Sequence, residues 1–216
     1  MKSLINKILL VSLFAFAAIC ANAQEIKYGV TAGINFNSLS SNSNDARTGF
    51  HAGLKTEIDF NEKLYVNAGL MLTTTPWRGL GTYIPKEKII IDSKKTPYYL
   101  NIPVHVGYKL PVAKNVKIFG EAGPYIGIGL FGSGSSIVEQ YDEGFKNLIE
   151  SKKYDNGNPF KNNQKRFDWG LGGNIGVELF NHYQLSVGYD WGLKEILGKN
   201  TSMKNKTFMI SASYLF

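Results

Sequence analysis

The last eleven residues of the chain, KTFMISASYLF (206–216), alternate two kinds of side chain. One series is apolar and ends on an aromatic residue: Phe208, Ile210, Ala212, Tyr214 and Phe216. The intervening series is Met209, Ser211, Ser213 and Leu215. Because successive side chains of a β-strand point to opposite faces, this period of two predicts a strand with one apolar face. That face requires an apolar neighbour, which is either a protein core or a lipid bilayer.

The other end of the chain, MKSLINKILLVSLFAFAAICANA (1–23), predicts a secretory signal peptide. It has a basic start, an apolar centre, and a small-residue site that predicts cleavage before Gln24. Its apolar centre of 11 residues, at 8–18, is too short for a bilayer, which needs about 20. The only cysteine, Cys20, follows Ile19 rather than the small residue of a lipoprotein signal, so we expect it to be removed. The exported domain, 24–216, then contains no disulfide.

Charge and hydropathy limit the class of protein. The formal charge is +7, and removal of the signal peptide with its two lysines lowers it to +5. No tract of Lys and Arg marks a nucleic-acid partner. No apolar run in 24–216 approaches the length of a spanning helix, so a membrane location requires a closed β-barrel, in which every backbone group is paired.

Period-two alternation recurs in eight segments and predicts eight strands. The segments are 27–36, 49–60, 63–75, 97–110, 115–130, 167–179, 183–193 and 206–216. Strands of soluble proteins are typically about 5 to 6 residues long, whereas a tilted strand needs about 9 to 11 residues to cross a membrane. The predicted strands are about 10 to 15 residues long, so their length favours a membrane barrel.

The connections between these strands alternate in length without exception. Short ones lie at 60–63, 110–115 and 180–183, and long ones at 37–48, 76–96, 131–166 and 194–205. Outer-membrane barrels have short periplasmic turns and longer extracellular loops. We therefore expect both ends of the chain to lie in the periplasm.

The two faces of the strands differ in charge. The face assigned to the interior carries Lys55, Glu57, Asp59, Glu121, Glu178 and Asp190. A soluble barrel would have to bury these charges or expose the opposite apolar face, and both are costly. The sequence therefore predicts an all-β protein, an eight-stranded antiparallel transmembrane β-barrel of the outer membrane.

Several segments resemble the PorT family of outer-membrane β-barrel proteins from Gram-negative bacteria, over essentially all of 24–216. They are GVTAGINFNSL, GFHAGLKTEIDF, YYLNIPVHVGYKL, GPYIGIGL, FDWGLGGNIGVEL and the terminal SYLF. The resemblance implies a small OmpA/OmpX-like barrel in the outer membrane, and the founding member is linked to protein secretion and gliding. Where the family usually has Glu before Ile-Pro, this chain has Asn101.

An eight-stranded barrel is just wide enough for its own side chains to fill it. We therefore predict a packed structural network of polar side chains rather than a pore, although a small-solute channel is an alternative. The network residues are His51, Lys55, Glu57, Asp59, Asn101, His105, Glu121, Asn174, Glu178 and Asp190.

A catalytic role is the second alternative, because some small outer-membrane barrels are enzymes. A hydrolase site needs a nucleophile, a base and an orienting acid within mutual reach. The exported part offers His51, His105 and His182 but no GxSxG or HExxH spacing. We therefore predict no catalytic residue, and we assign no cofactor or metal.

The long connections 76–96 and 131–166 are the predicted surfaces for partners. A short amphipathic helix is expected over 137–149, with five apolar residues near one face. Trp77, Arg78, Lys86, Lys88, Lys94 and Lys95 are expected to face lipopolysaccharide or a protein, the other reading being a solvated surface.

The terminal Phe216 resembles the final aromatic residue by which the outer-membrane assembly machinery recognises its clients. Anchoring at the membrane interface is the alternative explanation. In either case the closing strand must pair with the first strand near Tyr28, because a barrel leaves no strand edge exposed.

Overall fold

The computed structural model describes residues 25–39, 46–84, 89–142, 147–161, 164–196 and 203–216. These residues form ten β-strands and one short 3-10 helix. No helix in these ranges is long and apolar enough to cross a membrane. The predicted signal peptide, 1–23, lies outside the described residues.

Ten strands follow one another along the chain. They are β1 (Glu25–Leu39), β2 (Arg47–Asp59), β3 (Leu64–Thr74), β4 (Trp77–Ile84), β5 (Ile89–Ala113), β6 (Val116–Tyr141), β7 (Leu148–Asp155), β8 (Phe167–Leu179), β9 (Tyr183–Gly192) and β10 (Asn205–Leu215). The 3-10 helix, Pro159–Lys161, lies between β7 and β8. The eight predicted strands are present, and the predicted bounds of β8 are those observed.

Eight of the strands close into an antiparallel ring, in the order β5, β3, β2, β1, β10, β9, β8 and β6, with β6 pairing to β5. The chain ends close this ring, because β1 pairs with β10 from Gly29 opposite Leu215 to Leu39 opposite Asn205. The backbone N–H of Phe216 also donates to the carbonyl of Tyr28, at 2.8 Å. The predicted pairing of the first and last strands is therefore confirmed.

One end of the ring carries the tight turns, and we call it the turn end; the opposite end is the loop end. Between β2 and β3, the side-chain oxygen of Asn61 accepts the backbone N–H groups of Lys63 and Leu64, at 2.9 and 2.8 Å. In the β5–β6 turn, Asn115 adopts a left-handed conformation, with φ of 68°. Asparagine tolerates this conformation better than most residues, which suits it to so short a turn.

The side chains of the ring alternate between its two faces. The outward face exposes large apolar side chains, such as Leu54 at 61%, Val106 at 59% and Ile175 at 58%. The inward face buries polar ones, with Glu57 at 0% and Lys109 at 2% exposure. A continuous apolar exterior around a charged interior is the arrangement of a barrel in lipid.

The two longest connections differ from the predicted loops. The strands β5 and β6 have 25 and 26 residues and continue past the ring at the loop end. There β4 pairs with β5, and β7 pairs with β6, so segments 76–96 and 131–166 contain a four-stranded antiparallel extension. We call this extension the protruding sheet.

The prediction of a helix over 137–149 is wrong for the residues that the structure describes. Residues 137–141 belong to β6, and residues 148 and 149 belong to β7. The helical spacing of apolar residues is overridden because β6 already pairs with β5 through residues 132–140. Continuing that ladder, and adding β7 to it, pairs the backbone groups with a neighbouring strand.

Candidate functional site: the barrel lumen and the protruding sheet

The charge cluster of the lumen lies near the turn end. Lys109, on β5, donates to Glu57 on β2 at 2.5 Å and to Glu178 on β8 at 2.7 Å. All three side chains are almost completely buried. A buried charge is tolerated where it is paired and hydrogen-bonded. One lysine thus links two carboxylates that come from opposite parts of the ring.

Further side chains complete the pairing in the charge cluster. The Gln184 amide donates to Glu57 at 2.7 Å and to Glu178 at 2.8 Å. Lys55 donates to the amide oxygen of Gln184 at 2.7 Å, and its amino group lies 3.0 Å from Glu57. Lys117 lies 3.3 Å from Glu178 and is partly exposed. The cluster therefore has three lysines around two carboxylates and a bridging amide.

A second polar cluster surrounds Glu121 in the middle of the lumen. Its carboxylate accepts hydrogen bonds from the Tyr65 hydroxyl at 2.9 Å and from the Asn67 amide at 2.9 Å. The Asn174 amide donates to it at 2.8 Å, and a ring nitrogen of His105 lies at 3.4 Å. Hydrogen bonds to an ionised group are stronger than neutral ones. Glu121 thus connects its own strand, β6, with β3, β5 and β8.

A small cavity of about 50 Å³ lies beside the Glu121 cluster. Its lining includes His51, His105, Asn101 and Asp190. His51 shares a hydrogen bond with the Ser211 hydroxyl, at 2.9 Å. This volume has room for only a few water molecules. Most of the interior around it is filled by the side chains of the described strands.

A third polar cluster lies toward the loop end, around Asp168 on β8. The Asn205 amide donates to its carboxylate at 2.8 Å, and the backbone N–H of Trp169 does so at 2.9 Å. On β10 and β1, the Thr207 hydroxyl donates to the side-chain oxygen of Asn37, at 2.8 Å. The polar network of the lumen therefore continues toward the loop end of the barrel.

A small apolar cluster lies at the loop end. Trp77 and Ile196 are buried together, and Met203 packs against them. Ile196 and Met203 are also joined through the backbone, because the Ile196 N–H donates to the carbonyl of Met203, at 3.0 Å. The prediction that Trp77 faces lipopolysaccharide or a protein is wrong, because the residue is only 7% exposed. Trp77 is therefore a packing residue of this apolar cluster.

The ten predicted network residues occupy different parts of this arrangement. Lys55, Glu57 and Glu178 lie in the charge cluster. Glu121 is the centre of the second cluster, where His105 and Asn174 contact it. His51, Asn101 and Asp190 line the cavity. Asp59 lies at the turn-end rim, where it accepts from Lys27 at 2.8 Å.

The structure adds buried network residues that were not predicted, among them Tyr65, Lys109, Asp168 and Gln184. The alternation of side chains contained a signal for three of these. Lys109 lies on the same face of its strand as Asn101 and His105, Gln184 on that of Asp190, and Asp168 on that of Asn174. In the described part of the chain, no group of three or more His, Cys, Asp or Glu side chains is arranged to hold a metal ion.

The protruding sheet has two faces and two edge strands, β4 and β7. Arg78, Lys94, Ser135 and Asp155 lie opposite one another in a row across its four strands. On β7 every side chain is exposed, including Ile149 at 63% and Tyr154 at 50%. Within the described residues β7 is the last strand of the sheet. The edge of β7 that does not pair with β6 is therefore open for backbone pairing.

Comparison with solved structures gives bacterial outer-membrane proteins at low identity. Ail, the attachment invasion locus protein of Yersinia pestis, is 17% identical, with a TM-score of 0.39, covering 89% of this chain and 100% of that one. Neisserial surface protein A is 13% identical, with a TM-score of 0.45, and the coverages are 88% and 95%. OprG from Pseudomonas aeruginosa is 14% identical, with a TM-score of 0.38 and coverages of 88% and 94%. No curated protein matches the chain.

The family comparison covers most of the chain. Residues 22–198 match the family described as outer membrane protein beta-barrel domain. The match spans seven of the eight ring strands and both strands that widen the protruding sheet. Together with the closed ring and its apolar exterior, it establishes that the chain belongs to the outer membrane protein beta-barrel domain family.

Proposed function

We propose that this outer-membrane barrel is a non-conducting, partner-binding component of the cell envelope, and that the protruding sheet is its recognition surface. The observation that carries the proposal is the open edge of β7, whose eight residues are all exposed. Monomeric proteins normally protect such an edge from pairing with other chains. An exposed edge strand is the structure to which an extended peptide adds by backbone hydrogen bonds.

The partner that fits this edge is a protein with an extended segment. Along β7, the apolar Ile149 and Tyr154 flank the charged Glu150, Lys152 and Lys153. Backbone pairing would supply affinity, and the alternating side chains would supply specificity. The resemblance to the PorT family supports a partner from a secretion or envelope-assembly apparatus. We place the sheet outside the cell, since long connections of such barrels are extracellular.

We expect a photoactivatable residue in place of Ser151, on β7, to give a discrete cross-linked protein product in intact cells. The same residue in place of Leu54, on the lipid-facing side of β2, should give none. Blocking the edge with Ser151→Pro removes a backbone donor, and a cross-linker at Ile149 should then lose the product. Gel migration with and without heating would check that the ring still folds. Equal products from the β7 and Leu54 positions would contradict the proposal.

The filled lumen supports the second part of the proposal. From the turn end to the loop end it contains the charge cluster, the Glu121 cluster, the Asp168 cluster and the apolar cluster of Trp77, Ile196 and Met203. Eight-stranded barrels have little interior space beyond that of their side chains. We therefore expect no stable open state in planar-bilayer recordings of the purified protein. A steady conductance that persists across independent preparations would show that the lumen opens.

We propose no catalytic role. His51 and Ser211 share a hydrogen bond, as a base and a nucleophile would, but the second ring nitrogen of His51 has no hydrogen-bond partner among the described residues. A hydrolase base is normally oriented by an acid at that nitrogen. The adjoining cavity of about 50 Å³ is also far below the size of ordinary ligand pockets.

Phe216 remains a proposed recognition signal for the assembly machinery. Its side chain is 70% exposed, while its backbone N–H is bonded to β1. The backbone thus belongs to the closing seam, and the aromatic ring extends outward from the turn end. Such a ring is accessible to an assembly factor before the barrel is inserted.

A further inference from the structure

Two stacked aromatic rings lie on the outward face where β5 and β6 leave the barrel. The rings of Tyr98 and Phe131 are 4.7 Å apart, and Phe50 meets Tyr98 edge to face at 6.2 Å. Below them the outward face is apolar, with Val104 and Val106 on β5. Aromatic girdles of this kind mark the level of the membrane interface. The protruding sheet therefore begins at the boundary between lipid tails and headgroups.

The outer face of the protruding sheet continues this lipid-facing side. On β5, Lys94 and Tyr98 share a face because they are four residues apart. On β6, a one-residue bulge brings Phe131 opposite Tyr98, and Ser135 lies opposite Lys94. On β7, Asp155 lies opposite Ser135. The side chains of this row therefore stand directly above the aromatic pair, on the membrane side of the sheet.

This outer face contains a concavity of about 570 Å³. It is lined by Lys94, Thr96, Ser133, Gly134, Ser135, Lys153 and Asp155. Both lysines are exposed. Neither amino group forms a hydrogen bond or an ion pair with another described residue, which leaves both cations available to an anion. The lining thus combines two cations with three hydroxyl groups.

Two carboxylates near the concavity already have partners. Asp155 accepts the backbone N–H of Gly157, at 2.8 Å. Asp92 forms an ion pair with Arg78 on β4. Asp155 keeps its negative charge, so two lysines and one carboxylate give the lining a formal net charge of +1.

The height of Lys94 suits the headgroup layer, and Lys153, opposite Ile137, lies two residues farther along the sheet. Four residues of strand span about 13 Å, which at a tilt of about 40° is roughly 10 Å along the membrane normal. The headgroup region is about 5 to 8 Å thick on each side of the bilayer. A lysine at position 94 that points back toward the membrane therefore brings its amino group to the level of lipid phosphates, while its stem stays on the sheet.

We propose that this concavity binds the phosphate of an outer-leaflet lipid headgroup. Lys94 and Lys153 supply the positive charge, and the hydroxyl groups of Thr96, Ser133 and Ser135 donate to phosphate oxygens. The acyl chains of the same lipid would lie against Tyr98 and Phe131. This site shares Lys153 and Asp155 with β7 but uses the face of the sheet, whereas the proposed partner pairs with the backbone of the open edge. The two proposals have different readouts, so either can fail without the other.

The test compares lysines that are neighbours in sequence but lie on opposite faces. Lys153 faces the concavity, whereas Lys152, with the same charge on the same strand, points to the other face and lies 2.6 Å from Glu150. The full exported chain, folded in phosphatidylcholine nanodiscs, would be titrated with diphosphoryl lipid A and with dephosphorylated lipid A. Lipid retained per protein would be measured by native mass spectrometry, and folding by gel migration with and without heating.

We expect Lys94→Gln and Lys153→Gln each to lower the affinity for diphosphoryl lipid A about fivefold, as for a lysine near an anionic lipid surface. Lys152→Gln should leave that affinity unchanged, and the wild-type protein should bind the dephosphorylated lipid more weakly. Equal losses from Lys152→Gln and Lys153→Gln would reduce the effect to net charge and overturn the proposal. So would equal binding of the two lipids, or saturation of the site by free inorganic phosphate.

Discussion

Replacement of Lys109 with methionine is expected to lower the free energy of unfolding of the barrel by about 3 kcal/mol or more. Lys109 donates to both Glu57 and Glu178, and all three groups are buried. Removing the cation leaves two carboxylates close together without the charge that links them. Each keeps another lysine, Lys55 or Lys117, so we expect the low end of the range measured for broken buried pairs.

The measurement is equilibrium unfolding in urea, with the protein in lipid vesicles and tryptophan fluorescence as the signal. Lys117→Met is the matched control, because Lys117 contacts only Glu178 within the charge cluster and is partly exposed; its loss should cost less than about 1 kcal/mol. The triple variant with Glu57→Gln and Glu178→Gln should be more stable than Lys109→Met alone. Equal effects of Lys109→Met and Lys117→Met would show that the bridge is not a principal stabilising contact.

Replacement of Tyr65 with alanine is expected to cost about 3 to 5 kcal/mol, as for other large buried aromatic residues. Tyr65 is completely buried. Its ring occupies the space where a Cβ atom of Gly107 on the neighbouring strand would lie, and Lys109 is 4.7 Å from the ring centroid. Its hydroxyl donates to Glu121 at 2.9 Å. One side chain therefore joins the charge cluster to the Glu121 cluster.

Tyr65→Phe separates the contribution of the ring from that of the hydroxyl. It retains the packing on Gly107 and removes one hydrogen bond to a carboxylate, which is worth about 1.5 to 3 kcal/mol. Because Glu121 keeps its bonds to Asn67 and Asn174, we expect the lower value. Unfolding in urea, as for Lys109, gives both numbers. If the phenylalanine and alanine variants lose the same stability, the ring contributes nothing beyond its hydroxyl.

The alternation of side chains predicted the ring because it is a local property of the backbone. Phe167–Leu179 was predicted with its observed bounds, since apolar and small or polar residues alternate there without interruption. The same parity assigned Glu57, Glu121 and Glu178 to the interior. The odd or even position of a residue in its strand does not show which strands lie opposite each other across the lumen. The meeting of Lys109 with both Glu57 and Glu178 depends on strand order and register.

The long connections were less predictable, because their pattern is compatible with more than one structure. Residues 137–149 contain apolar residues at helical spacing, yet the described part of this segment lies in β6 and β7. Pairing with β5 decides the outcome, and that pairing begins in the barrel wall below. Trp77, similarly, has no local feature that distinguishes an exposed aromatic residue from one that packs against Ile196.

The sequence by itself determined the two-faced strands, their number in the ring, and the alternation of short and long connections, because each follows from backbone periodicity and local turn chemistry. Only the tertiary structure decided the partners of the lumen charges, the extension of β5 and β6 into a sheet, and the placement of Lys94 and Lys153 above Tyr98. These depend on contacts between strands far apart in sequence. The register between those strands sets these contacts, and no local pattern of side chains records that register.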